Sequence, residues 1–286
     1  MKIYNLLTRK TEELSLAKLI FLENKSNDYI ISIPHSGAYL LSEFKDRFKL
    51  SKGMLIGSDL YTDLLYDMGK GVRIIFELNN YQVNVNRFRK GGDSSMPKSL
   101  QRDPLHGRFL DGEVPLKKGY SNNEKKELLA YYDRYHELLK KEIDRMKKEK
   151  GYALVFDCHA MNSKGLRDAP DKGEERPDFM IGTVDDTSAD KRIIDAFEKT
   201  LVEEAGGYGL TVKKNHPYKG GAIARIYGNP SKGVHVIMLE TKKSIFYNEG
   251  FAGEKDSFKL NHDGLVLVNS IVSKAFEAAS RVAKNL

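Results

Sequence analysis

Apolar residues in this chain fall into two kinds of run. Short continuous runs, bounded by proline, glycine or polar residues, predict buried strands at 29–33, 72–78, 152–156, 178–183, 209–214 and 234–240. Longer stretches repeat their apolar residues every three or four positions and predict helices. One at 54–69 carries Leu60, Leu64, Leu65 and Met68, and one at 122–150 carries Leu128, Tyr132, Tyr135, Leu139, Ile143 and Met146. Two more are expected at 187–205, on Ile193, Ile194, Phe197, Leu201 and Val202, and at 264–283, on Val268, Ile271, Val272, Ala275, Phe276 and Ala279. Residues 81–87 alternate, with Val83 and Val85 on one side and Asn84 and Asn86 on the other, which predicts a further strand. Residues 10–21 are expected to form a short helix or hairpin. Strands interleaved with helices predict an α/β fold, in which chemistry collects at the C-terminal ends of the strands.

Composition narrows the classes. With 286 residues, 40% of them hydrophobic, the chain accommodates one large α/β domain as well as two, and no apolar run is long enough to cross a bilayer. Lys and Arg number 47 against 40 Asp and Glu, a net charge of +7 that suits an anionic small molecule. Zinc-finger spacing and an aromatic-interleaved basic stripe are both missing, so no nucleic-acid partner is expected. The single cysteine, Cys158, excludes an internal disulfide. Charges interrupt the apolar residues of the N-terminal twenty, unlike a secretory leader, and the cytoplasm is the expected compartment.

The candidate chemistry lies where strands end. The run at 29–33 stops at Pro34 and presents His35. The run at 152–156 leads into Asp157 and His159, two apart and so on one face. The run at 234–240 delivers Glu240, with His235 on the other face and therefore structural or supporting. Asp59 falls near the expected start of the helix at 54–69, and Asp63, four residues on, shares its face; either can turn towards His35. Arg87 stands just past a strand end, where a guanidinium suits a carboxylate. The loop 88–120 contains His106, and the polar loop 164–177 is a second candidate wall of a site. Lys219, Gly220 and Gly221 form a basic turn, with Arg225 on a short strand beyond it. His136, beside the apolar stripe of its helix, is expected to be structural. Two histidines, one carboxylate and an open position make the ligand set of a hydrolytic zinc centre. In that reading Asp157 orients His159 and Glu240 takes a proton from the attacking water. On the residues alone, a metal hydrolase and a non-metal or non-catalytic α/β domain both stay open.

Seven segments in order resemble the N-formylglutamate amidohydrolase (deformylase) family: PHSG at 34–37, SDLYTDLLYD at 58–67, VNR at 85–87, DCHAM at 157–161, PDFMIGT at 177–183, YKGGAIARIYGNP at 218–230 and HVIMLE at 235–240. The resemblance implies one domain over 1–286 with a three-layer α/β/α fold on a mixed, mostly parallel sheet, phosphorylase/hydrolase-like and zinc-exopeptidase-like. It implies one zinc ion on His35, His159 and Asp59, with Asp63 the rival third ligand, and Glu240 as general base and then proton donor. Asn86, Arg87, Lys219, Gly220, Gly221 and Arg225 would bind the substrate, and Arg87 and Arg225 would supply two forks for its two carboxylates. The implied substrate is a small anionic N-acyl amino acid, N-formyl-L-glutamate first, with a place in amino-acid (histidine) degradation. A carboxypeptidase-like hydrolase and a non-catalytic metal- or anion-binding module are the alternatives. Asn84 departs from the acidic residue common before the Asn-Arg pair, and Ala160 from the usual serine after the metal histidine.

Overall fold

The continuous apolar runs become strands buried on both faces, which is why they lack polar alternation. The computed structural model describes residues 1–105, 114–249 and 257–286. Its first elements are β1 (Lys2–Asn5), β2 (Thr11–Glu13), α1 (Leu16–Leu19), β3 (Ile20–Asn24), β4 (Ile30–Ile33) and β5 (Tyr39–Leu41). Then come α2 (Gly53–Ile56), α3 (Thr62–Leu65), β6 (Val72–Phe76), α4 (Asn122–Lys150), β7 (Ala153–Met161) and β8 (Phe179–Gly182). The chain continues through α5 (Lys191–Gly206), β9 (Val212–Lys214), α6 (Ala222–Tyr227), β10 (Val234–Lys242) and α7 (His262–Ala283).

Seven strands form one mixed sheet in the order β3-β6-β4-β7-β10-β8-β9. The four central strands run parallel, and antiparallel pairs occur at β3–β6 and β10–β8. Strands β2, β1 and β5 make a separate antiparallel sheet. On one face of the large sheet lies α4, entered through a capping box between Ser121 and Glu124 and left at Gly151, whose φ of 81° suits glycine. Its Tyr135 hydroxyl reaches Ser32 on β4 at 2.8 Å. Helices α5 and α7 cover the opposite face, where Phe156 stacks on Phe276 and on Phe197. The result is the expected α/β/α layering on a mostly parallel sheet. No helix among the described residues is long and apolar enough to cross a membrane.

Three expectations are corrected. Residues 81–87 are a chain of turns rather than a strand, because asparagines compete for the backbone. Asn79 Oδ1 accepts from Tyr81 N, Asn79 O accepts from Gln82 N and Val83 N, and Asn84 Oδ1 accepts from Asn86 N. The helix expected at 54–69 is broken into α2 and α3. Gly57 lies so close to Tyr81 that a side chain there would collide with its ring, and Tyr61 takes φ 64° just before α3. Arg225 lies on α6 rather than on a strand. The small N-terminal sheet and α1 combine both forms expected for 10–21.

Candidate metal centre

The break between α2 and α3 brings Asp59 to the sheet. Asp59 N donates to the carbonyl of His35, just past the end of β4, which holds the two residues side by side at 3.0 Å. On β7, Asp157 and His159 face the α4 side, opposite Phe156, as strand parity requires. In the parallel β7–β10 register Glu240 lies beside His159, so both project at the same level of the same face. His235, of opposite parity, is buried and accepts from Asp190 N.

Three parts of the chain therefore converge. His35 Nδ1 is 3.4 Å and His159 Nδ1 3.1 Å from the same oxygen, Asp59 Oδ2, and one ligand atom from each of these residues lies within 4.8 Å of the others. All three side chains are buried. Asp63 does not join them: with the helix broken, it faces Arg73, Glu23 and Glu77 instead.

The outer ring nitrogens indicate what the inner ones present. Asn84 Oδ1 accepts the backbone N–H of Asn86, which fixes the orientation of that carboxamide, so His35 Nε2, 2.9 Å from the same oxygen, carries the proton. The neutral His35 ring then turns the lone pair of Nδ1 towards Asp59. His159 Nε2 has two neighbours behind it, Asp157 Oδ2 at 3.2 Å and Asn86 Nδ2 at 2.9 Å. Asp157 in turn accepts from Ser32 Oγ and from Asn86 Nδ2. Two imidazoles held from behind by polar side chains, each with Nδ1 turned to one carboxylate, fit a divalent cation.

Charge around the cluster agrees. Burial opposes a proton on His159, but Asp157, Asp59 and Glu240 outweigh it and hold the ring well above its ordinary value. His35 is pushed down by burial. Burial also opposes the Asp59 charge, yet the two histidines and Lys243 keep it ionised. The carboxylates thus call for positive charge between the rings, from a proton or a metal ion. Burial pushes Glu240 up to about 7, while His159, Arg176 and Lys243 hold it back.

The proposed substrate residues are dispersed. Arg87 is half-buried, gives one hydrogen bond to its neighbour's carbonyl, and lines a cavity of about 450 Å³ together with Asn84. Asn86 is spent on the protein: besides Asp157, its Oδ1 accepts Ile223 N at the start of α6. Gly221 lies against that carboxamide, where a Cβ would come within 2.4 Å. Gly220 takes φ 130°, open to glycine alone. Lys219 is exposed and paired with Asp185, and Arg225 turns Nε back to Gly220 O; neither lines the Arg87 cavity. His136 is structural, bonded to Tyr227 Oη and Val85 O. His106 lies outside the described residues.

Two groups had no signal in the sequence. Lys243 is buried beneath the centre, donates to Ile56 O at 2.8 Å and lies 3.8 Å from Asp59 Oδ1, the oxygen turned away from the histidines. Arg176 forks onto Asp171 at 2.6 and 2.8 Å and holds the Tyr218 hydroxyl at 2.8 Å. These pairs are distant in sequence, or unremarkable as loop charges, and only the fold joins them.

The family model described as N-formylglutamate amidohydrolase matches residues 27–247. The chain is 29% identical over 228 residues to the N-formylglutamate deformylase of Pseudomonas putida, covering 77% of this chain and 82% of that protein. It is 28% identical over 227 residues to the N-formylglutamate deformylase of Pseudomonas aeruginosa, with the same coverage. Among solved structures, N-formylglutamate amidohydrolase from Ralstonia eutropha superposes with a TM-score of 0.74 at 17% identity, over 93% of this chain and 99% of that one. An Agrobacterium tumefaciens protein gives 0.64 at 15% identity, over 92% and 96%. At such identities the superpositions speak for the fold.

Proposed function

Since the chain belongs to the N-formylglutamate amidohydrolase family, we propose that it hydrolyses N-formyl-L-glutamate, or a close N-acyl amino acid, to formate and the free amino acid, as one domain over residues 1–286. The observation that carries this reading is the convergence of His35, Asp59 and His159, with Glu240 beside His159 on the next strand. A zinc ion held by His35 Nδ1, Asp59 Oδ2 and His159 Nδ1 would supply a Lewis acid for the formyl carbonyl and for the attacking water, whose pKa beside such an ion falls to about 7.

The remaining work belongs to the protein's own groups. Glu240 takes the proton of the attacking water and returns it to the leaving nitrogen, so that the C–N bond breaks with a neutral amine departing. Burial raises that carboxyl above its ordinary value, and a cation bound beside it would draw it back down, leaving a carboxylate ready to accept the proton of the water. Arg87 holds a substrate carboxylate. Asn84 and Asp157 keep the rings of His35 and His159 in place, and Asn86 ties Asp157 to the first turn of α6.

The deciding experiment measures metal content and formate release on one purified sample. One zinc per chain, with formate and glutamate produced in equal amounts, is expected. Removal of the metal should abolish release and zinc should restore it. Formate release that survives complete metal removal would overturn the metal assignment, and no release from any N-formyl amino acid would overturn the reaction.

A further inference from the structure

The cavity that contains Arg87 holds a second guanidinium, Arg102, from the loop after the Asn-Arg pair. Lys98 and Arg167 add two more cations to the wall, against the carboxylates of Asp103 and Asp168, which leaves it two positive charges in excess. The two carboxylates are already engaged. Asp103 accepts Leu105 N at 2.8 Å, and Asp168 lies between Arg102 Nη2 at 3.9 Å and Arg167 Nε at 3.5 Å. Arg87 has no carboxylate partner among the described residues. Burial lowers Arg87 to about 10, and the nearby charge of Arg102 adds to the fall. Two guanidiniums facing one half-enclosed space repel one another unless an anion lies between them. The space also adjoins the candidate metal centre, because Asn84 lines it and accepts from His35.

We propose that Arg102 determines specificity: Arg87 takes the α-carboxylate of the substrate, and Arg102 takes a second carboxylate on its side chain. The proposal rests on the hydrolase reading and names its substrate class, N-formyl amino acids with acidic side chains. It moves the second fork from Arg225, on α6 and outside the cavity wall, to the loop that carries Lys98 and Arg102. Methionine would keep the length and apolar body of the arginine while removing its fork.

The test compares N-formyl-L-glutamate with N-formyl-L-glutamine, of nearly equal size and lacking only the side-chain charge, in wild type, Arg102→Met and Arg225→Met. The ratio of kcat/KM for the acid over the amide should fall about 10- to 150-fold in Arg102→Met, the range of a charged hydrogen bond. It should hold in Arg225→Met. A merely structural role for Arg102 would lower both rates and leave the ratio, which would overturn the proposal, as would a selective loss in Arg225→Met. Calorimetric titration with glutarate and with butyrate separates this proposal from the reaction itself. If wild type releases no formate but binds glutarate over butyrate through Arg102, the reaction falls and the subsite stands. Turnover of N-formyl-L-glutamate with an acid-over-amide ratio indifferent to Arg102 sinks the subsite alone. Neither turnover nor glutarate binding sinks both.

Discussion

Asn84 Oδ1 lies 2.9 Å from His35 Nε2, and the same oxygen takes the backbone N–H of Asn86. That second bond leaves the carboxamide no freedom to flip, so Asn84 is an acceptor for the ring and determines which imidazole nitrogen is free. Asn84→Ala should therefore weaken metal binding about 10- to 100-fold, the usual cost of losing such an outer partner. Asn84→Asp, which keeps an acceptor, should retain it. Competition with a chromogenic chelator measures both, and equal affinity in Asn84→Ala and wild type would show that His35 is held some other way.

Glu240 is bonded to none of the proposed ligands and lies beside them. Glu240→Gln should keep one metal per chain and lose about 10²- to 10⁴-fold in kcat, the range for a positioned proton carrier. Metal analysis and formate release on the same preparation separate the two effects. A variant that loses its metal would make Glu240 a ligand, and a variant with full activity would remove it from proton transfer.

The sequence and the fold agree where one interaction decides. Continuous apolar runs gave the central strands within a few residues, and strand parity put Asp157 with His159 and Glu240 opposite His235; the β7–β10 register then laid Glu240 beside His159. The agreement fails where local hydrogen bonds or a single contact decide. Alternating Val83 and Val85 imitate a strand, but the flanking asparagines bond their own backbone, and the valines are buried from a run of turns. Four-residue spacing left Asp59 and Asp63 as equals. The close approach of Gly57 to Tyr81 and the left-handed Tyr61 break that helix and send the two carboxylates apart. Arg102 carried no mark at all, since a loop arginine acquires meaning only from the cavity it faces.

Gly221 offers a test of how Asn86 is held. A Cβ there would lie 2.4 Å from the Asn86 carboxamide, which links Asp157 to Ile223 N. Gly221→Ala should displace α6 or Asn86 and so disturb the support of His159, with kcat/KM falling by as much as about 100-fold for a shift near 1 Å. Gly119→Ala, with nothing within 4 Å of the added carbon, is the control and should match wild type. Unaltered kinetics in Gly221→Ala would mean that the Asn86 link does not matter to turnover.

Glu77 provides a pH dependence away from the metal. Burial, with Asp63 beside it, raises its carboxyl from an ordinary 4.5 to about 8, against the smaller pulls of Ser36 and Arg73. A carboxyl raised in the folded state contributes stability that is complete below about 4.5 and is lost as pH rises through about 8, because the unfolded chain ionises first. Glu77→Gln keeps an oxygen for the Ser36 hydroxyl and removes the charge. The variant and wild type should therefore melt together near pH 4, and the variant should melt higher at pH 9, by roughly 2–4 °C for each kcal/mol recovered. Thermal melts at the two pH values decide it: equal midpoints at pH 9 would mean that Glu77 ionises in the fold without cost.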